Sequence, residues 1–174
     1  RIQSSDVAGY LLGQFTGAVF GVALASALLG PRLAHASVNY VVTRPGRWGV
    51  GPALAAEVLI SAVLMSIVVA LTGSRWARFT GLVVGALVAT YISVEAPLSG
   101  MSMNPARSFG SAWGAGDWRM FWVYVAGPLL GMNLGALLAT AARARPACPK
   151  LHHPGSQRCI FCGHVPAAAP VPVR

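Results

Sequence analysis

Apolar residues gather in four long blocks, at about 7–29, 52–72, 77–96 and 119–142, each bounded by Gly, Pro or Arg. A helix that crosses a bilayer takes about 20 mostly apolar residues, so each block predicts a transmembrane helix. The blocks are punctuated by small residues. Gly9, Gly13, Gly17 and Gly21 occupy every fourth position of the first, Gly81 and Gly85 lie in the third, and Gly127, Gly131 and Gly135 in the fourth. Small residues at that spacing let helix backbones approach closely, as helix packing in a membrane requires. Two polar residues interrupt the spans: Gln14 in the first and Glu57 in the second. A carboxylate in a span is costly unless it faces the bundle interior and finds partners. Glu57 is therefore expected to accept hydrogen bonds from backbone donors that irregular segments leave free.

Residues 97–117 break the pattern. They are only moderately apolar and contain Asn104-Pro105. Pro97, Leu98, Ser99 and Gly100 predict non-helical backbone. Pro105 suits the first turn of a helix, where a missing N–H costs nothing, and Asn104 suits its N-cap. The helix is expected over 105–113, stopping at Gly114. At 1.5 Å per residue such a helix spans about 13–14 Å, less than half of a bilayer core of ~30 Å. That is the length of a re-entrant half-helix. Irregular backbone at membrane depth is tolerated only where protein or a water-filled cavity covers it.

Composition supports a membrane setting. Of 174 residues, 55% are hydrophobic and 10% charged, against about 25% charged in soluble domains. The formal net charge of +9 raises nucleic acid or acidic lipid as partners. The arginines are scattered between apolar blocks, however, and read as topology signals and anionic-lipid contacts, not as a nucleic-acid footprint. One side would hold Arg1, Arg75, Arg78 and the basic tail; the other would hold Arg32, Arg44, Arg47 and Arg119. That bias places both termini in the cytoplasm of a multi-pass protein of the inner or plasma membrane. The chain begins at Arg1 with no initiator Met and no signal peptide, so a fragment or truncated gene model is expected. No carboxylate pair, Ser/His/Asp set or phosphate loop marks the spans as an enzyme.

The half-helix carries chemistry of its own. Its N-terminus holds roughly half a positive charge and free backbone N–H groups. Aimed at the membrane midplane, it repels cations and protons. The Asn104 amide offers donors to a passing water oxygen. Carbonyls of Gly100, Met101 and Ser102, in an extended loop, would offer acceptors. Arg107, about one turn further along, adds donors and a fixed barrier to cations.

Ser102-Met103-Asn104-Pro105-Ala106-Arg107-Ser108-Phe109-Gly110 resembles the second Asn-Pro-Ala box of the aquaporin family and the arginine that follows it. Gln14 and Glu57 match the family's polar positions in its third and fourth spans, and Gly127-Pro128 the Gly-Pro of its sixth. The resemblance covers residues 1–142. It implies an all-α membrane protein of four transmembrane helices plus one re-entrant half-helix, an incomplete aquaporin-like bundle. The family's first two spans and first Asn-Pro-Ala box do not occur in this sequence. The resemblance further implies a passive channel for water and small neutral solutes, needing no cofactor, assembled as a homotetramer. In the family, the constriction is built from this arginine, the residue six before it, one fifteen before it and one from the second span. Those present here are Arg107, Met101 and Ile92. Ile92 replaces a usual His and Met101 is apolar, so the filter is less polar than a water-only one. Ser108 and Ala112 follow the water branch of the family. Glu95, one turn beyond Ile92, is a candidate to pair with Arg107 at the outer mouth.

The alternative is a membrane scaffold or metal sensor without a pore. Residues 144–174 form a separate Cys/His tail. Cys159 and Cys162 have the two-residue spacing of zinc ligands, and Cys148 with His152 or His153 could complete a tetrahedral site. A redox pair between Cys159 and Cys162 and a disordered tail are the other two readings.

Overall fold

The computed structural model describes residues 4–142 and Cys159. All regular structure among the described residues is helical. The long helices are α1 (Ser4–Leu29), α3 (Val50–Thr72), α4 (Thr80–Val94) and α7 (Val123–Ala141). Two short helices, α2 (Pro31–Ala34) and α5 (Ala96–Ser99), one of intermediate length, α6 (Pro105–Ala115), and two 3₁₀ turns, Asn39–Val41 and Ala77–Phe79, complete the set among the described residues. Four stretches are long and apolar enough to cross a membrane: Val7–Leu29, Val50–Thr72, Ala77–Val94 and Val123–Ala141. Their large apolar side chains, among them Leu12, Phe20, Leu24, Leu82 and Leu137, are exposed, as suits helices whose solvent is lipid.

The helices associate in two pairs. The α3–α7 pair is close because α7 presents glycine to α3. A Cβ on Gly127 would meet the Glu57 side chain; on Gly131 and Gly135 it would overlap the carbonyls of Val58 and Ala62. The second pair is α1–α6. There Gly110 abuts the Ala18 carbonyl, and the Phe109 ring stands edge-on to Phe15 at 5.0 Å between centroids. Phe109 also meets Trp118 and Phe121, so one aromatic cluster joins α6 to the turn before α7.

Pro97, Leu98 and Ser99, expected to be non-helical, are the last three residues of the short helix α5. The second span starts at Val50 rather than 52, and further boundaries also depart from the sequence expectation. The third span ends at Val94, because Glu95 turns the chain into α5. The fourth begins at Val123 rather than 119, because the Asp117 carboxylate captures the Arg119 N–H and guanidinium and holds 119–122 in turns. Finally, α6 runs on to Ala115. Gly114 lies inside it, its missing Cβ making room for the Tyr40 ring and Val22. Gly116, in the left-handed region at φ +65, is the actual C-cap, the usual way to end a helix.

The connection between α1 and α3 folds back over the re-entrant segment. Gly46 N–H donates to the Leu98 carbonyl at 2.8 Å, and a Cβ there would overlap the carbonyls of Pro97 and Leu98. This backbone-on-backbone contact fixes Thr43 and Arg44 beside α6.

Candidate functional site

The half-helix α6 starts where it does because Asn104 and Pro105 act together. Asn104 has extended backbone (φ −149, ψ 108), and Pro105 fills the first turn. The Asn104 side-chain oxygen accepts from the N–H of Ala106 at 3.0 Å and of Arg107 at 3.3 Å. Only the oxygen of an amide can accept two N–H groups, so its orientation is settled by its partners. The Asn104 NH2 is then left as a donor on an exposed residue. Asn104, Ala106 and Arg107 line an open groove of about 440 Å³ whose other walls are α1, with Gln14 and Val22, and Tyr40.

The preceding loop is not the run of extended backbone expected. Gly100, Met101 and Met103 have φ of +87, +50 and +52. The left-handed positions have a physical reason: they turn three successive N–H groups inward. Met101 N–H donates to Ser99 Oγ at 3.0 Å, Ser102 N–H to Glu57 Oε1 at 2.7 Å, and Met103 N–H to Glu57 Oε2 at 2.9 Å. Ser99 Oγ itself donates to Glu57 Oε1 at 2.7 Å. Glu57 is fully buried on α3, and its carboxylate anchors the loop, as a span carboxylate must if it is to be tolerated. Tyr124 OH adds a bond of 2.6 Å to the Ser99 carbonyl. Among the described residues no hydrogen bond ends on the carbonyls of 100–103.

A chain of hydroxyls ties this loop to α6. Thr43 Oγ1 donates to Ser108 Oγ at 2.8 Å, Ser108 and Ser102 hydroxyls meet at 2.6 Å, and Ser102 Oγ reaches the Asn104 carbonyl at 3.1 Å. One hydrogen per hydroxyl satisfies all three bonds when each donates onward in that order.

The other expected residues divide. Gln14 is exposed on the groove wall. Met101 is buried against Ile60 and Met103, beside Val88 and Tyr91 of α4, and does not line the groove. Ile92 is 57% exposed and is also outside it. Arg107 is part-buried, and one of its terminal nitrogens is buried without a hydrogen-bond partner. The expected direct pair of Glu95 with Arg107 is not formed: the ion pairs among the described residues both end on Asp117. Both Glu95 carboxylate oxygens are instead buried without a hydrogen-bond partner among the described residues.

Ser99, read in the sequence only as non-helical backbone, ends α5 and donates to Glu57. Asp117 went unremarked there, as did Thr43 and Tyr124. It accepts from Arg44 Nε at 2.8 Å and from Arg119 Nε and Nη2, both at 3.0 Å. These bonds, Arg119's first, hold its carboxyl well below the usual carboxylate range. It is the sole acidic residue after Glu95 and has an arginine two positions on, which was the legible signal. The others have none, because their partners lie 25 to 65 positions away. In the tail, Cys148, His152, His153 and Cys162 lie outside the described residues; Cys159 is buried. Among the described residues, no three His, Cys, Asp or Glu gather to hold a metal.

Comparison with known proteins adds identity. The family model described as Major intrinsic protein matches residues 1–139. The chain is 33% identical over 138 residues to Aquaporin NIP1-1 of Oryza sativa subsp. japonica, covering 78% of this chain and 47% of that protein. It is 38% identical over 133 residues to Aquaporin NIP4-1 of the same plant, covering 69% of this chain and 46% of that protein. It is 34% identical over 169 residues to the lens fiber major intrinsic protein of Gallus gallus, covering 94% and 62%. The chain spans about half the length of the curated relatives it matches.

Proposed function

The chain belongs to the major intrinsic protein family, and from that premise we propose that it supplies one half-helix and its supporting wall to a passive pore for water and small neutral solutes. The observation that carries the reading is the capped Asn104. Its oxygen is occupied by Ala106 and Arg107 N–H, so its NH2 is turned outward as a donor. A water passing there accepts with its oxygen and must turn both hydrogens away from the helix end. On this reading the carbonyls of Gly100, Met101 and Ser102, on which no hydrogen bond ends among the described residues, take those hydrogens. A water so oriented hinders a proton relay, and the positive helix end together with the Arg107 guanidinium repels cations.

Ile92 and Met101 remain the filter candidates on this reading. Since the Met101 side chain is buried, its contribution to the pathway is its carbonyl. Residues 1–143 form the membrane body, with both termini cytoplasmic, and four copies assemble as a homotetramer in the inner or plasma membrane. A pore of this kind needs a second half-helix beside this one. Transport needs no cofactor, enzyme chemistry or nucleic acid. Stopped-flow swelling of proteoliposomes tests this, using the chain with whatever coding sequence precedes Arg1. Water permeability above that of empty liposomes, lost in Asn104→Asp and joined by proton leak in Arg107→Ala, is expected. Permeability equal to empty liposomes overturns the reading and favours a scaffold.

A second reading, zinc held by the tail at 144–174, rests on the spacing of Cys148, His152, His153, Cys159 and Cys162. Metal analysis of the purified chain, with and without Cys159→Ser, decides it.

A further inference from the structure

The turn between α3 and α4 reads Arg75-Trp76-Ala77-Arg78-Phe79. It is tightly bonded. Trp76 N–H donates to Ser74 Oγ at 3.0 Å, Ala77 N–H to the Ser74 carbonyl at 3.1 Å, and Phe79 N–H to the Trp76 carbonyl at 2.8 Å. The 3₁₀ turn Ala77–Phe79 leads directly into α4. Arg75 and Trp76 immediately precede that turn, and each arginine is stacked on the aromatic ring that follows it in sequence. The Trp76 and Phe79 rings lie 5.8 Å apart, Arg75 stands 5.1 Å above Trp76, and Arg78 stands 4.7 Å above Phe79.

Stacking on a ring holds a guanidinium in place while leaving its in-plane N–H edges free. Those edges fit phosphate oxygens two at a time. No carboxylate among the described residues pairs with either of them, and no Asp or Glu occurs between Glu57 and Glu95. Three of the arginines at the other ends of the spans differ. Arg44 and Arg119 are both held by Asp117, and Arg47 stands alone over Trp48 at 4.2 Å.

The turn joins two spans, so it sits where the hydrocarbon ends. Trp76 is 50% exposed there, and Leu82 on the first turn of α4 is 73% exposed. Tryptophan at this depth is a membrane-interface residue, and Leu82 continues the apolar surface inward. Paired cations at the interface above an apolar wall match a ligand with a phosphate at one end and an acyl chain at the other. We propose that the α3–α4 turn binds an anionic phospholipid, its headgroup phosphate held by Arg75 and Arg78 and its acyl chain lying along Trp76 and Leu82. The site requires that α3 and α4 span a bilayer, and is independent of whether the protein conducts.

The test is native mass spectrometry of the full chain in detergent, with phosphatidylglycerol or phosphatidylcholine of the same acyl chains. Phosphatidylglycerol should be retained preferentially. The double variant Arg75→Ala/Arg78→Ala should lower its retention about thirtyfold, from two interfacial cations, and leave phosphatidylcholine unchanged. Arg47→Ala should leave both unchanged. Equal retention of the two lipids by the parent chain overturns the proposal. So does undiminished phosphatidylglycerol binding in a double variant of parental helicity. Displacement of the lipid by millimolar inorganic phosphate overturns it as well, since the site would then be one for free anions. A measurement on the unaltered chain guards against misfolding of the variant: phosphatidylglycerol brominated near its headgroup should quench tryptophan fluorescence more than the matching phosphatidylcholine, and equal quenching refutes the site.

Discussion

Helices α1 and α7 carry the same signature, a glycine at every fourth position, yet among the described residues only one of them uses it. On α7, Gly127, Gly131 and Gly135 lie against the Glu57 side chain and the backbone carbonyls of Val58 and Ala62. On α1, a Cβ at Gly9, Gly13, Gly17 or Gly21 would meet nothing within 4 Å. The same holds for Gly81 and Gly85 of α4. Without a hydrophobic force between helices in lipid, close packing is what brings helices together. A glycine stripe therefore says that a backbone can come near, and not which one does. Here the partner is decided by Glu57. It sits on α3 beside Gly127 and binds the loop that leads into α6, so one residue joins the interface of α3 with α7 to the re-entrant segment.

The largest effect should come from removing that junction. Glu57→Ala leaves the Ser99 hydroxyl and the N–H groups of Ser102 and Met103 buried without an acceptor. A loss of about 3–5 kcal/mol is expected, read from the helicity of the protein in mild detergent against added dodecyl sulfate. Glu57→Gln keeps one acceptor oxygen and should lose about half as much. Next comes Gly131→Val, whose side chain would collide with the Val58 carbonyl. Because that atom is backbone and cannot swing aside, a loss of about 3 kcal/mol is expected by the same assay. An unchanged unfolding curve would break the comparison on its α7 side.

A smaller effect should follow from Asp117, which fastens the Arg44 loop to the end of α6 by charge rather than by fit. Its carboxyl is depressed in the folded protein, mainly by Arg119. The sign follows. Its stabilisation is complete above the ordinary carboxylate range, about pH 4, and drains away as pH falls below that toward the folded value. Asp117→Asn should mimic the acid state at pH 7 and abolish the low-pH trend in thermal unfolding. The arginines are mostly exposed, so added salt should weaken the effect. The smallest change is expected on the open stripe. Gly13→Ala or Gly17→Ala should alter stability by no more than ~0.5 kcal/mol in the isolated chain. A loss as large as that of Gly131→Val would mean that α1 is partnered after all.

Much of the fold could be read from local pattern. The four apolar blocks reappear as membrane-length helices, and the Asn104-Pro105 start of the half-helix lies at the residue expected, because an N-cap and a first-turn proline act over three positions. Its end was misjudged by two residues. Gly114 looked like a stop, but the space it leaves is filled by Tyr40 and Val22, and Gly116 turns the chain instead. The carbonyls of Gly100, Met101 and Ser102 read as acceptors in an extended loop. Its left-handed turns answer to Glu57, more than 40 positions earlier, which local sequence does not register.

The sequence by itself determined what its short-range chemistry controls: an all-helical membrane chain, the start and capping of the half-helix, Asn104 as a donor, and the need of Glu57 for partners. Tertiary structure alone decided who those partners are. It chose Ser99, Ser102 and Met103 for Glu57, Thr43 for Ser108, and Asp117 for Arg44. It closed the glycines of α7 on α3 and left those of α1 open. The reason is the range of the forces. Capping and hydropathy act within a turn or along one helix, whereas a buried hydrogen bond or a backbone contact needs two segments far apart in the chain, and no local pattern specifies which will meet.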